Sequence, residues 1–302
     1  MQTTRETHGI VPPAPVARED VAQCGACGSR ERVAFYAPGD IMQCLGCGVL
    51  YVSPRPTAQA IGDFYSALGR YDHWDKEPGR VAMWERRVRR IRRLVPRGRL
   101  LDIGAGQGDF GAIARAYYEV DGTEVSSEGQ RVARERHGLA LRLGDACEID
   151  LPLGRYDVVT LWHVLEHVAE PRRLIARAHE VLSPGGVVCV AVPNTDDRLR
   201  LRRSRIQTKI DSALGRLPTA GVRFDRLLLE RPEEELHLTH FTLRTLCELL
   251  ERSGFDLAEA GLDDYSVESG TRARLEFHAY ELAYRLSGLA AGGAIFAAGR
   301  KR

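Results

Sequence analysis

An apolar strand that ends in three closely spaced glycines constrains this chain more than any other feature. Residues 100–108 read Leu-Leu-Asp-Ile-Gly-Ala-Gly-Gln-Gly, so that apolar residues run directly into Gly104, Gly106 and Gly108. Because glycine has no Cβ, a backbone with glycine at alternate positions can turn sharply and approach a ligand closely. The pattern therefore predicts a buried strand followed by a ligand-binding loop.

The spacing of these glycines distinguishes between the possible ligands. A dinucleotide fingerprint has its third glycine three residues after the second, whereas Gly108 follows Gly106 by two residues and precedes Asp109. A carboxylate at this position repels a pyrophosphate, and Asp102 suits a ligand that carries a cationic amino group. Glu124 ends a second predicted strand, where an acidic side chain accepts hydrogen bonds from both ribose hydroxyls. We therefore expect a nucleoside ligand without phosphate.

The rest of the chain alternates strands with helices. Residues 156–161 form a continuous apolar run, which is typical of a strand inside a parallel sheet. Pro171 suits the first turn of the helix that follows, and residues 183–186 end that helix before a strand over 187–192. A helix over 241–254 with Thr242 as its cap comes later. The last predicted elements are a helix around Leu275, Ala279, Leu282 and Leu286 and a closing strand over 294–298. This alternation predicts a doubly wound α/β sheet.

With these motifs in this order, the chain resembles the class I S-adenosylmethionine (SAM)-dependent methyltransferases over roughly residues 95–260. The resemblance implies a Rossmann-like sheet of seven strands in which the last strand is antiparallel. It places the glycine loop beneath the methionine part of SAM, Glu124 at the ribose, and Asp145 in a turn that contacts the adenine. The cofactor-binding residues that we expect are Asp102, Gly104, Gly106, Gly108, Glu124, Asp145, Ala146 and Trp162.

Four cysteines near the N-terminal end have the spacing of a metal site. Cys24-x-x-Cys27 is followed, after sixteen intervening residues, by Cys44-x-x-Cys47, and paired thiolates at this spacing can meet around one tetrahedral zinc ion. Four cysteine ligands leave no open position on the metal, so the predicted zinc is structural. A disulfide pair, or a degenerate knuckle that holds no metal, stays open as the alternative.

The cysteine ribbon also bears on the acceptor of the methyl group. A similar ribbon precedes the catalytic domain of many bacterial methyltransferases that modify sugars and other small metabolites, which implies a small-molecule acceptor here. A ribosomal RNA methyltransferase family also has an N-terminal zinc module, so RNA methylation is the alternative. The net charge of +2, from 43 basic and 41 acidic residues, is no nucleic-acid signature. A non-catalytic SAM-binding protein is the third class, which the intact cofactor motifs disfavour.

An arginine-rich segment is open to two interpretations. Residues 86–93 contain six arginines, but apolar residues recur through the segment at helical spacing. We interpret the segment as an amphipathic helix with a solvated basic face. The alternative is a surface that binds RNA.

Histidines are the first candidates for the proton transfer that accompanies methylation. SAM already carries an activated methyl group, so the protein aligns the reactants and removes a proton from the acceptor. A histidine base suits neutral pH and a hydroxyl acceptor, which favours O-methylation over C- or N-methylation. His163, directly after a predicted strand, is the expected base. His167 and His240 are further candidates, with a structural role as the alternative for each.

The run His163-Val-Leu-Glu166-His167 can also be interpreted as a metal site. If it is helical, its three polar side chains share one face. A similar run with glutamate in the first place resembles the divalent-metal site of the O-methyltransferases of ubiquinone synthesis. The histidine at position 163 disfavours magnesium, because magnesium prefers oxygen ligands.

The sequence predicts four segments. We expect a disordered tail over 1–21, a zinc ribbon over 22–56, a helical linker over 57–96, and a methyltransferase domain over 97–302 with a substrate-cap insertion at about 195–235. No apolar run approaches the roughly 18 residues of a membrane span, and residues 1–6 lack the regions of a secretion signal. We therefore expect a cytoplasmic enzyme with SAM and structural zinc as its cofactors and a small molecule as its partner.

Overall fold

Thirteen strands are present in the part of the chain that the computed structural model describes, namely residues 17–36, 40–66, 79–195, 236–264, 271–288, 290 and 292–302. The strands are β1 Arg18–Glu19, β2 Arg32–Tyr36, β3 Ile41–Cys44, β4 Leu50–Val52, β5 Arg55–Pro56, β6 Gly98–Ile103, β7 Tyr118–Glu124, β8 Arg142–Leu143, β9 Tyr156–Trp162, β10 Leu182–Pro193, β11 Thr239–His240, β12 Phe255–Leu262 and β13 Ala294–Lys301. The helices are α1 Ala58–Ser66, α2 Arg80–Leu94, α3 Asp109–Ala114, α4 Ser127–His137, α5 Pro171–Val181, α6 Leu243–Arg252 and α7 Thr271–Ser287.

The central sheet has the strand order β12-β13-β10-β9-β6-β7-β8. The pairs from β10 to β8 are parallel, whereas β13 is antiparallel to both of its neighbours. The predicted doubly wound sheet with an antiparallel last strand is therefore confirmed. Because the carboxyl ends of β6, β7 and β9 lie at one edge, the loops that follow these strands come together there.

Helices cover both faces of this sheet, because successive strand residues point to opposite sides. In β6, Leu100 packs in one cluster with α2 and α3, and Leu101 packs in the other with α5 and α6. The start of α6 is fixed by the predicted cap, since the Thr242 side chain accepts a hydrogen bond from the backbone of Thr245. Parallel strands buried in this way explain the long apolar runs of the sequence.

The cysteine segment is joined to the rest of the protein through a second sheet. Its strands have the order β11-β4-β3-β2, and β11 comes from far along the chain. His240 is paired with Leu50, and Val52 donates a backbone hydrogen bond of 3.0 Å to Leu238. Cys24 belongs to the same buried cluster as α5 and α6. The ribbon therefore packs directly on the domain with the central sheet.

Several local expectations need correction. Arg18–Glu19 pairs with Arg55–Pro56, so the tail predicted to reach residue 21 already forms a strand at residue 18. Residues 183–186 were expected to separate a helix from the following strand. They lie within β10 instead, where the pairing of β10 with β9 changes register. The predicted cap at about 195–235 lies outside the described residues except for residue 195. Residues 1–16 of the predicted tail also lie outside them.

The last helix forms where its periodicity predicts, but three leucines of the expected apolar face are not buried. Leu275, Leu282 and Leu286 of α7 are 65%, 57% and 80% exposed. The helix instead packs against the apolar core through Phe277, Tyr280 and Tyr284. None of the helices in the described ranges combines the length and apolar character needed to cross a bilayer.

Candidate active site

A pocket opens at the carboxyl ends of β6 and β9. It is lined by Arg80, Trp84, Asp102, Gly104, Ala105, Gly106, Gln107, Asp109, Phe110, Trp162 and His163. The glycines of the loop at positions 104, 106 and 108 all have positive φ, between 56° and 82°. Glycine adopts this left-handed conformation without steric cost. At Gly104 the close packing adds a second requirement, because a Cβ there would lie 2.5 Å from Val164 Cγ2.

Two buried carboxylates lie at the base of this loop. Asp102 accepts a hydrogen bond of 2.6 Å from Thr160 Oγ1, and its burial raises its pKa to about 7. Glu124 accepts hydrogen bonds from the backbone N–H groups of Gly106 at 2.7 Å and Ser126 at 2.9 Å. The loop after β6 is thus tied directly to the end of β7.

The other expected cofactor residues lie around the pocket rather than in its wall. Gly108 is the N-cap of α3. Gly144 donates a backbone hydrogen bond of 2.9 Å to Glu124, which brings the following turn beside the end of β7. In this turn the exposed Asp145 accepts a hydrogen bond from the Cys147 backbone, and Ala146 is buried. Asp102, Gly104, Gly106 and Trp162 line the pocket itself.

Sequence reasoning did not identify part of the pocket wall, which comes from α2 and the loop. Trp84 contacts Phe110 and Trp162 with ring centroids 5.6 and 6.3 Å apart. The Nε1 atoms of both tryptophans and Nε2 of Gln107 are buried without a hydrogen-bond partner in the described part of the chain. Arg80 stacks over Trp84 at 5.8 Å. Buried donors of this kind normally have partners, so they fit a polar ligand.

The arginine-rich helix α2 does not present the predicted solvated basic face. Arg87 is 2% exposed, lies 4.8 Å from the Trp84 ring and 4.5 Å from the Trp162 ring, and pairs with the equally buried Asp263. Burial works against ionisation of Asp263, but Arg87 lowers the pKa of that carboxyl below its ordinary value.

The other arginines of α2 are also largely engaged within the protein. Arg86 pairs with Asp264, Arg90 pairs with Glu259, and Arg92 stacks on Tyr117. Arg89 and Arg93 are the exposed members of the six. The expectation of a solvated face was wrong because the neutralising carboxylates come from the end of β12 and the residues just after it, about 170 residues away in sequence.

His163 connects the pocket to a buried carboxylate. Its φ of 56° is unusual for a residue with a Cβ, and such conformations concentrate at functional sites. The guanidinium of Arg87 lies 3.1 Å from Nε2, and Oε1 of Glu166 lies 3.3 Å from Nδ1. A guanidinium can only donate, so Nε2 is the acceptor and Nδ1 carries the proton toward Glu166.

The residues that follow His163 form a turn, not the helix considered for them, and this turn meets a distant segment. The backbone carbonyl of Glu166 accepts hydrogen bonds from Leu238 and Thr239. His167 donates from Nδ1 to the Leu236 carbonyl at 2.8 Å, and its ring centroid lies 4.8 Å from that of His237. Sequence reasoning did not assign a role to His237. Its only signal in the sequence is that it lies three residues before the candidate His240.

Burial and neighbouring charges shift the pKa values of Glu166 and His240, which lie near the turn after His163. Burial opposes ionisation of Glu166, but interactions with His167 and His163 lower its pKa to about 2. Burial and the neighbouring His237 lower the pKa of His240 to about 3. Glu166 is therefore a carboxylate at neutral pH and the His240 ring is neutral.

The four ribbon cysteines converge on one point. Cys24 and Cys47 have their sulfurs 3.8 Å apart, and those of Cys27 and Cys44 are 3.5 Å apart. Bonds of about 2.3 Å to one tetrahedral zinc separate sulfurs by roughly 3.8 Å, whereas a disulfide requires about 2.05 Å. Burial raises the pKa of Cys27 to about 11, and a bound cation would favour its thiolate. The four sulfurs are unbridged in this structure, and their arrangement suggests a zinc site.

Fold and site together define the class of protein. A sheet of this strand order, a glycine loop after its β6 strand and an acidic residue at the end of the next strand are the features of a class I SAM-dependent methyltransferase. The chain belongs to the family described as a methyltransferase domain, whose model matches residues 72–260. The chain therefore contains a class I methyltransferase domain.

Curated relatives agree with this class. The chain is 28% identical over 183 residues to a probable SAM-dependent methyltransferase of Mycolicibacterium smegmatis, covering 57% of this chain and 60% of that protein. It is 34% identical over 106 residues to a ubiquinone biosynthesis O-methyltransferase of Cereibacter sphaeroides, and the match covers 33% of this chain and 43% of that protein. The match spans 41–60% of the first curated relatives' own length.

Solved structures share the fold at low sequence identity. A SAM-dependent methyltransferase of Thermotoga maritima, described as a possible histamine N-methyltransferase, has a TM-score of 0.52 and 17% identity, covering 80% of this chain and 100% of its own. The 1,6-didemethyltoxoflavin-N1-methyltransferase of Burkholderia thailandensis has a TM-score of 0.52 and 18% identity, and the match covers 90% of this chain and 99% of that chain. At these sequence identities the similarity shows a shared fold only.

Proposed function

We propose that the enzyme transfers the methyl group of SAM to a hydroxyl of a small-molecule acceptor, with His163 taking the hydroxyl proton. The observation that carries this proposal is that His163 lines the same pocket as Asp102 and the glycine loop. A base in this position faces the reacting end of a cofactor that lies over the loop.

The proposed cofactor contacts follow from charge and hydrogen-bonding capacity. The carboxylate of Asp102 would attract the cationic amino group, and Glu124 would accept from the ribose hydroxyls after releasing the Gly106 backbone. Arg80 and the buried amide of Gln107 are suited to the methionine carboxylate. Asp145 and Ala146 would border the adenine. Bound SAM supplies the sulfonium-activated methyl group.

The buried carboxylate of Glu166 supports His163 as the proton acceptor. Because Nδ1–H faces Glu166, the lone pair of Nε2 is the site that takes the acceptor proton. In the described structure Arg87 lies at Nε2, so the acceptor hydroxyl must displace this contact before the proton moves. The imidazolium that forms is then stabilised by Glu166. His167 and His240 remain proposed helpers, with His240 disfavoured as a base by its low pKa.

A small-molecule acceptor is proposed over RNA because α2 lacks the free basic face that a polyanion requires. Most of its arginines are held by carboxylates or rings of the same protein. The four cysteines are proposed to hold structural zinc within a ribbon over 22–56 that precedes the linker and methyltransferase domain. We also propose a cytoplasmic location, where thiols stay reduced.

The test is incubation of the purified chain with methyl-labelled SAM and source-cell extract, followed by separation of small molecules, RNA and protein. Label in the small-molecule fraction, on an oxygen, is expected. Label in RNA would overturn the acceptor class, and no transfer to any fraction would favour a non-catalytic SAM-binding protein.

Two variants test the assigned residues. Gly106→Arg should abolish SAM binding in a calorimetric titration, because the side chain fills the space of the cofactor. His163→Ala should lower kcat by about 10²- to 10⁴-fold with SAM affinity unchanged. His278→Ala, which alters a histidine on the surface of α7, is the control and should leave both quantities unchanged. Full activity of His163→Ala would refute its role as the base.

A further inference from the structure

The catalytic turn, residues 163–170, joins the end of β9 to the start of α5 and begins with the proposed base His163. Neither a helix nor a strand covers these residues. At the first end, the backbone N–H of His163 donates to the Ala191 carbonyl of β10 at 2.9 Å. Within the turn, His167 donates to the Val164 carbonyl at 3.0 Å. The middle and the far end of the turn are held by segments from outside it.

The middle of the turn is linked to strand β4 of the ribbon through the chain around β11. The Glu166 carbonyl accepts backbone hydrogen bonds from Leu238 at 2.7 Å and Thr239 at 3.1 Å. The same two residues bond to the ribbon, because Val52 donates to the Leu238 carbonyl and Thr239 pairs with Tyr51. All five residues are buried. Because a close-packed interior yields little, the position of β4 constrains the position of Glu166.

The far end of the turn is held by Arg55 of β5. Its guanidinium donates from Nη1 to the Ala169 carbonyl at 2.7 Å and from Nε to Glu19 Oε1 at 3.0 Å. The Glu170 carboxylate lies 3.7 Å from Nη2. The Arg55 side chain is only 14% exposed, and a charged donor makes a stronger hydrogen bond than a neutral one. Arg55 thus fixes a backbone carbonyl of the turn.

The first cysteine pair also contacts the far end of the turn. Gly25, which lies between the two cysteines of this pair, accepts a backbone hydrogen bond of 3.1 Å from Arg172. A Cβ at position 25 would lie 2.7 Å from the Ala169 carbonyl oxygen and 3.0 Å from Pro171 Cδ. Only glycine allows this close approach, so the cysteine loop and the catalytic turn are in direct contact.

We propose that the ribbon positions the catalytic turn, with Arg55 as the positioning residue that acts on His163 through this turn. The inference rests on the proposed function in so far as His163 is the base. The positive φ of His163 is unfavourable and persists only where surrounding contacts enforce it. A base must also be held accurately, since a displacement of about 1 Å can cost roughly 100-fold in rate. The ribbon contacts supply such a constraint.

The first experiment measures hydrogen exchange by mass spectrometry in the full chain. Arg55→Ala should increase exchange over residues 163–172 at least about tenfold, because the turn loses a hydrogen bond to a charged group. Exchange in β6 and β7 should stay unchanged, which shows that the central sheet is folded. Arg55→Lys keeps a charged donor for the Ala169 carbonyl and should restore most of the protection.

Arg18→Ala is the matched control. It removes an arginine from β1, the strand that pairs with β5, and the Arg18 side chain donates to Asp40 at 2.6 Å. Exchange over residues 163–172 should therefore stay at the wild-type level in this variant.

The second experiment tests whether the effect reaches the His163 ring. In the described structure Nδ1 carries the proton and Nε2 accepts from Arg87. Nitrogen NMR of histidine-labelled protein reports this tautomer, and the signal is assigned by its absence in His163→Ala. Arg55→Ala should convert the single tautomer into a mixture. Gly25→Ala, which pushes on Ala169 from the cysteine loop, should do the same.

Two results would overturn the proposal. One is unchanged exchange over residues 163–172 in both Arg55→Ala and Gly25→Ala. The other is increased exchange with an unchanged His163 tautomer, because the ribbon would then have a structural role only. If Arg55→Ala does not fold, Gly25→Ala decides, since it adds a single methyl group. Neither readout depends on methyl transfer, so full activity of His163→Ala would refute the proposed base and leave the positioning of the turn by the ribbon separately measured.

Discussion

The affinity for SAM should fall as pH is lowered through the titration of Asp102. Burial raises the pKa of this carboxyl to about 7 in the free protein. If its carboxylate attracts the cationic amino group of SAM, binding requires the ionised form. Binding below pH 7 then forces Asp102 to release a proton, and this release costs free energy.

The size of the effect follows from the pKa. About half of the protein carries ionised Asp102 at pH 7 and about one molecule in a hundred does at pH 5, so the affinity should fall roughly 50-fold, or about 2.3 kcal/mol. Near pH 6, binding should release about 0.9 proton per SAM. Calorimetric titrations at several pH values, each in two buffers of different ionisation enthalpy, measure both quantities.

Asp102→Asn is the matched variant, because it removes the ionisable group and can still accept the hydrogen bond from Thr160. It should bind SAM more weakly at pH 7 and lose most of the pH dependence between pH 7 and 5. If the wild type and the variant have the same pH dependence, Asp102 does not interact with the amino group and the reasoning is refuted.

Three further results are expected. Asp263→Ala should lower the free energy of unfolding in urea by about 3–5 kcal/mol, because the buried Arg87 loses its carboxylate; a loss below 1 kcal/mol would contradict this. Gly104→Ala should destabilise more than Gly138→Ala, since both have positive φ but a Cβ meets Val164 only at position 104; equal melting temperatures would argue against it. Chelation of the proposed ribbon zinc should increase hydrogen exchange in β3 and β4, and unchanged exchange would mean that the ribbon is stable without metal.

The parts of the molecule that sequence reasoning predicted correctly are those encoded locally. A strand that runs into Gly104 and Gly106 specifies its own turn, because only glycine adopts those positive φ values readily. Thr242 caps α6 through a residue three positions away. The convergence of Cys24 and Cys47 was readable because metal ligands come in characteristic pairs.

The parts that were missed depend on contacts between distant segments. The burial of Arg87 requires Asp263, 176 residues away, and no period in α2 reveals that partner. His237 lies near Glu166 because the backbone of the adjoining Leu238 and Thr239 bonds to the Glu166 carbonyl. For α7, spacing predicted a helix and an apolar face, but not which of its residues would find a packing surface.

The pairing of β4 with β11 affects how the protein is made on the ribosome. Leu50 of β4 cannot pair with His240 of β11 until His240 has been synthesised, 190 residues later. At about 5–20 residues per second the delay is roughly 10–40 s. During this time the four cysteines have all emerged, but β4 is still an open edge that can pair with other chains. Early capture of zinc would hold the cysteine turns together until β11 arrives, so metal supply would influence the yield of folded enzyme as well as its stability.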